Sequence, residues 1–162
     1  MKTLSDSDAG QVGLTPTPST IGALRSVDRP ARVVTDARNG QVERSVFRVE
    51  AILVEVKRED DRDYHLVIAD PDTLNTMIVE LVDVTCPGAA DSEQWQLMQS
   101  ARDAFDVACG RPTTSFRKLS GSAVITGVGF FDFLHGQRGV APNGIELHPV
   151  IRFEGTCPRD TG

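Results

Sequence analysis

Apolar and polar positions alternate from Arg44 to Lys57, RSVFRVEAILVEVK, and the apolar set changes sides midway. Val46, Ile52, Val54 and Val56 share one parity, broken by Arg48 and Glu50, while Phe47, Val49, Ala51 and Leu53 share the other. A period of two predicts a strand. A change of face predicts a bulge or strong bend within it, the device by which small barrels close. The charged stretch REDDRD then turns the chain, YHLVIAD (64–70) predicts a second strand, PDTLN a loop of Pro and Asx residues, and TMIVELVDV (76–84) a third strand.

CPGAADSEQ interrupts this β pattern. Asp91 stands where an N-cap belongs, with Gln94 three positions on, and a helix is expected from Ser92 to Cys109. Leu97, Ala101, Phe105 and Ala108, flanked by Met98 and Ala104, make an apolar stripe at three- and four-residue spacing. Gly110 ends the helix and Pro112 prevents its resumption. SAVITGVGFFDFL (122–134) reads as a fourth strand interrupted by Gly127 and Gly129, and GIELHPVIRFE (144–154) as a fifth. Asn39–Gly40 is a hairpin turn signal, which adds a short strand within 31–40. The expected class is therefore mainly β: an OB-fold-like five-stranded β-barrel with a helix between the third and fourth strands. An antiparallel meander with a helix on one face fits the same order.

The first 30 residues show neither period and are rich in Ser, Thr, Gly, Pro and Asp. They are expected to be a flexible leader, followed by one barrel domain over 31–157 and a short tail over 158–162. The leader lacks the apolar core of a secretory signal, and no apolar run reaches the ~18 residues of a membrane span. The expected location is cytoplasmic. A formal net charge of −6, from 17 Lys+Arg against 23 Asp+Glu, disfavours nucleic acid as partner. Arg111, Arg117 and Lys118 form the one basic cluster, best read as a solvated connecting loop. Cys86, Cys109 and Cys157 have no metal-type spacing. Cys86 and Cys157 each precede a Pro in a loop, a bridge between them would be unusual in a reducing cytoplasm, and Cys109 is expected to pack in the helix as a small apolar residue.

Candidate chemistry concentrates in GVGFFDFLHGQRGVAPNGIELHPVI (127–151). Glu146 and His148 are two apart on a strand and so share a face; His135 stands at the end of the preceding strand, and the loop between carries Gln137, Arg138 and Asn143. These six residues, His135, Gln137, Arg138, Asn143, Glu146 and His148, are the expected binding set for an unidentified ligand or protein. The alternative is a divalent metal held by His65, Asp132, His135, Glu146 and His148, working as a hydrolytic centre. Against both stands a purely structural role, in which a carboxylate and a histidine fasten a loop. Glu59, Asp60, Asp61 and Asp63 lack the spacing of an EF-hand and read as a solvated turn. Phe130, Phe131 and Phe133 are expected in the core. No phosphate-binding glycine loop and no G-x-S-x-G elbow occurs.

YHLVIAD, TMIVE and GVGFFDFLHGQRGVAPNGIELHPV resemble a group of small uncharacterised bacterial proteins carrying nearly the same words in the same order. The resemblance spans Arg44 to Phe153 and implies no particular reaction. In topology the region also resembles staphylococcal-nuclease-type barrels, which would imply acidic calcium ligands and two arginines about a phosphate. The third strand here has no arginine and no Asp-Thr-Pro marks a metal loop, while Arg152 lies on the last strand. The expected function is thus a non-catalytic binding module, with a metal-dependent phosphodiesterase as the alternative.

Overall fold

The computed structural model describes residues 1–158. Its elements are β1 (Gly13–Pro18), α1 (Ile21–Arg25), β2 (Ser45–Arg58), β3 (Tyr64–Ala69), β4 (Thr76–Leu81), α2 (Pro87–Ala90), α3 (Trp95–Cys109), β5 (Arg117–Lys118), β6 (Ser122–Phe131) and β7 (Ile145–Thr156). The fold is mainly β. Five strands close a barrel in the order β2-β3-β4-β7-β6 and back to β2. Neighbours are antiparallel except for β4 and β7, which run parallel with Ile78 opposite Glu146. β1 adds to β2 in parallel outside the barrel, and β5 pairs with the far half of β2.

The change of face in β2 is realised as a register shift between Leu53 and Glu55 against β3. Val49, Ala51 and Leu53 point into the barrel, Val56 resumes that face after the shift, and Val46 turns to a second apolar layer outside. β7 bulges similarly against β6, with shifts on both sides of Gly127. A Cβ on Gly127 would lie 2.9 Å from the Leu147 Cβ and from the Pro149 carbonyl oxygen, so these two strands approach that closely only because the position has no side chain.

Inside the barrel, Leu66, Ile68, Val79, Leu81, Ile125 and Leu147 interdigitate. α3 closes one end, burying Phe105 with its ring 5.8 Å from Tyr64 and 5.3 Å from Phe153; full burial of such a side chain stabilises by about 1.5–3 kcal/mol. The buried face of α3 is Met98, Ala101 and Phe105. The expected stripe is off by one position at its start: Leu97 is exposed and Met98 takes the inward place. The helix also begins at Trp95, because Pro87–Ala90 forms its own turn and the Ser92 hydroxyl, not Asp91, accepts from the backbone N–H of Gln94.

The amino-terminal residues differ from the expected flexible leader. Leu4, Val12, Ile21 and Leu24 are buried, and Thr20 caps α1 by accepting from the Ala23 N–H. α1 sits at the end of the barrel opposite α3, where Asp70 accepts from the Gly22 N–H and Arg25 donates to the Thr76 carbonyl. Residues 31–40 form no strand; Asn39 instead folds a loop by bonding both the N–H and the carbonyl of Val34. Arg117 and Lys118, expected in a connecting loop, are the short strand β5. The expected tail lies, from residue 159, outside the described residues.

Cys109 is joined to Cys157 with a Cα–Cα distance of 4.9 Å, and Cys86 is the free thiol. This corrects both cysteine expectations: Cys109 is a bridging residue, and the partner of Cys157 is the helix rather than Cys86. The end of α3 and the end of β7 meet over the barrel rim, which the sequence alone does not reveal. Cross-linking a 48-residue separation restricts the unfolded chain, so the paired substitution Cys109→Ser with Cys157→Ser should lower unfolding free energy by about 2–4 kcal/mol in urea melts. A reductant should bring the native chain to the same value and leave the variant unmoved. Equal stability of the two chains under oxidising conditions would contradict this tie.

Candidate functional site

On β3, β4 and β7 every second side chain points away from the barrel interior. That outer face carries His65 on β3, Glu80 opposite it on β4, and Glu146 and His148 on β7. All four are nearly inaccessible to solvent. They are covered by the β2–β3 turn, by the loop from Asp132 to Gly144 and by Lys2 near the amino terminus. The result is a cleft of about 370 Å³ floored by His65, Ile78, Glu80, Glu146 and His148 and rimmed by Lys2, the acidic turn Glu59–Asp63, Asp132, His135 and Gln137.

The floor is a pair of carboxylate–imidazole sets. His65 donates through Nε2 to the carbonyl of Arg138 at 2.9 Å, while its Nδ1 faces Glu80 Oε1 at 3.1 Å and Glu59 Oε1 at 3.5 Å. Acceptors stand on both nitrogens, and the His65 pKa is raised: burial, which would lower it, is outweighed by Glu80, the Arg138 carbonyl and Glu59. His148 bonds Glu146 Oε1 through Nδ1 at 3.0 Å. Its Nε2 faces Asp63 Oδ2 at 3.6 Å, an ion-pair distance too long for a hydrogen bond, and has no other partner. Burial again opposes the charge, but Asp63, Glu146 and Glu80 raise the His148 pKa to about 9. Burial pushes the Glu80 carboxyl up, offset in part by His65 and His148.

The covering loop is fastened at several points. Asn143 donates to the carbonyls of Leu24 and Val27 and accepts from the Ile145 N–H, which ties the loop to α1. Gln137 donates to Asp132 and to the Phe133 carbonyl. Arg138 pairs with Glu55 at 3.1 Å and lies over the Phe116 ring. Gly139 lies so close to β3 that a Cβ there would stand 2.4 Å from Val67 Cγ1, and its φ is +83°.

Of the six residues expected to bind, Glu146 and His148 are joined at the floor, His135 and Gln137 are at the rim, Arg138 spans outward to Glu55, and Asn143 faces α1 instead of the cleft. The five residues expected to hold a metal, His65, Asp132, His135, Glu146 and His148, all line the cleft. Among the described residues, however, no three His, Cys, Asp or Glu side chains converge as metal ligands. His65 has both nitrogens engaged, and His135 is exposed. Phe130 and Phe131 are buried as expected, whereas Phe133 is 53 % exposed beside Leu134 at 50 %. They project from the loop because the strand ends at Phe131.

Sequence reasoning missed Lys2, Glu80 and the part played by Glu59 and Asp63. Glu80 had a signal: it is the single charge inside the apolar run MIVELV, on the same parity as Ile78. Asp63 also had one, since it ends the acidic run next to a strand; its Oδ1 accepts from the Asp83 N–H at 2.6 Å and Oδ2 is left toward His148. Lys2 had none.

No protein-family model, no curated protein and no solved structure matches this chain. Among the described residues no helix is long and apolar enough to cross a membrane.

Proposed function

We propose that the chain is an OB-type, non-catalytic binding module whose ligand occupies the acidic cleft. The OB reading is supported by the strand order, by the parallel pairing of the third and fifth barrel strands, and by a helix placed between the third and fourth. The observation that carries the function is where the cleft lies. It opens on the outer face of the second and third barrel strands, between the loop joining the first two strands and the loop joining the last two. Those strands and loops are the ones with which barrels of this type take oligomeric ligands.

The binding role is favoured over catalysis by how the polar groups are committed. Each imidazole on the floor is held by buried carboxylates, and neither stands against a hydroxyl or thiol that it could activate. The carboxylates outnumber the cations, so a polyanionic strand is the wrong partner for this face.

The paired substitution His135→Ala with Arg138→Ala tests the reading, because both residues are exposed and the change should leave unfolding free energy within about 1 kcal/mol of the native chain. An array of lysine-bearing peptides, neutral oligosaccharides and single-stranded oligonucleotides is probed with both chains. At least one probe should be retained by the native chain and weakened about fivefold or more in the variant, as expected for loss of about 1 kcal/mol at the rim. Binding that is identical for the two chains on every probe would sink the module reading.

A further inference from the structure

Lys2 is the one ammonium in the cleft. Its Nζ lies 5.2 Å from the centre of the Phe130 ring and 3.5 Å from Asp132 Oδ1. Burial alone would lower its pKa, but Glu146, Asp132 and Glu80 together raise it. An aromatic face with a carboxylate beside it and two more below is a seat for an alkylammonium ion, since the ring quadrupole and the carboxylates attract the same charge. The chain therefore holds a lysine of its own where an external cation would sit.

Two further observations point to an occupant other than Lys2. His148 Nε2 is buried under the same cleft in a side chain only 3 % exposed, and it has no hydrogen-bond partner. As imidazolium it faces Asp63 Oδ2 at an ion-pair distance of 3.6 Å without donating a hydrogen bond, and an oxygen brought to the floor would complete it. Charge gives the second: the cleft has the acidic turn Glu59–Asp63 with Glu80, Asp132 and Glu146, against Lys2 and the imidazoles. With Lys2 in place the cleft still carries an excess of carboxylates.

We propose that the cleft binds the side-chain ammonium of a lysine within a peptide, on the seat that Lys2 occupies in the free chain. The inference rests on the module reading and names its ligand. A peptide is favoured over a bare metal ion because no three side chains converge on a metal position among the described residues. It is favoured over a small free amine because Phe133 and Leu134 stand exposed on the loop beside Asp132, ready to take the apolar parts of residues next to the lysine. Peptide carbonyls also supply a hydrogen-bond acceptor for His148 Nε2, which has only the longer Asp63 contact. Lys2 then acts as a tethered competitor, present at the high effective concentration of a short link, and the external lysine must displace it.

The test uses the full chain and its Lys2→Met form, titrated calorimetrically with N-acetyl-lysine amide, N-acetyl-norleucine amide, glucosamine, and zinc or calcium chloride. The lysine amide should bind Lys2→Met about tenfold more tightly than the native chain, which corresponds to release of one cation–aromatic and carboxylate contact. Adding Asp132→Asn to Lys2→Met should remove most of that gain, and thermal melts of both variants check that the barrel is folded. Equal affinity of native and Lys2→Met chains, or equal binding of the uncharged norleucine amide, overturns the proposal. So does binding of metal or glucosamine in place of the lysine amide. If the probe array shows only neutral oligosaccharides, weakened by the His135 and Arg138 substitutions, the lysine inference fails while the module reading stands.

Discussion

Glu43→Ala is expected to lower the unfolding free energy by about 3–5 kcal/mol, although the residue lies outside the barrel core. Glu43 is wholly buried, on a short 3-10 turn (Val42–Arg44) just before β2. Its Oε2 accepts from the backbone N–H of Asn39 at 2.5 Å and from Asn39 Nδ2 at 3.0 Å, and Oε1 accepts from the Phe131 N–H at 2.9 Å. Truncation removes three hydrogen bonds and leaves the backbone N–H groups of Asn39 and Phe131 without an acceptor, while Asn39 Nδ2 keeps its bond to the Val34 carbonyl; hydrogen bonds to a charged group are each worth about 1.5–3 kcal/mol. Relief of the carboxylate's own desolvation returns part of this, which sets the lower end of the range. Glu43→Gln keeps one acceptor oxygen but turns a donor toward a donor, so it should fall between. Urea melts decide the matter. A loss below about 1 kcal/mol for the alanine form would show that the 39–44 loop does not depend on this carboxylate. Because Phe131 is the last residue of β6 before the covering loop, the same substitution should loosen the loop over the cleft.

His148→Leu is expected to destabilise by about 3–5 kcal/mol at pH 6, since it leaves Glu146 and Asp63 facing each other without the cation between them. The pH profile gives the sharper readout. The His148 pKa is about 9 in the folded chain against 6.5 for a free imidazole, so its contribution is whole below about 6.5 and is lost as pH rises through 9. The shift corresponds to roughly 3 kcal/mol at 1.36 kcal/mol per pH unit. His65, raised by its acceptors, and Glu80, raised by burial, act in the same direction: both bind protons more tightly in the folded state. Asp6, Asp70 and Asp83 have lowered values despite burial, through their hydrogen bonds and nearby cations, and their contributions are lost on acidification below about 3.8. The native chain should therefore be most stable between about pH 5 and 6.5 and weaken toward pH 9.5. In His148→Leu most of the alkaline loss should vanish. Parallel profiles for the two chains would show that His148 does not carry the charge assigned to it.

The barrel was legible in the sequence because strands on a closed sheet alternate, and β2 displays both the alternation and its interruption. The five barrel strands and the main helix lie within a few residues of where the pattern places them. The amino-terminal segment was not legible, for a physical reason. Leu4 and Val12 join the second apolar cluster while Ile21 and Leu24 enter the main core from one short helix, so the four follow no common period and polar composition dominates the reading. The Cys109–Cys157 bond was hidden because proximity across 48 residues is a property of closure, not of spacing. At the site, the two-residue spacing of Glu146 and His148 correctly predicted a shared face. The partners across the sheet depend on the register that sets His65 against Glu80 and Ile78 against Glu146, which one strand's sequence does not contain.

The seam between β2 and β6 joins Val46 to Val128 and Ala51 to Ala123. During synthesis, then, the first barrel strand waits with an open edge while two further strands and the whole of α3 emerge. Its solvent-facing Arg48 and Glu50 are the charges that discourage another chain from pairing with that edge before β6 arrives. The residues that spoil the apolar pattern of β2 are thus the ones that keep the half-made barrel from joining to its neighbours.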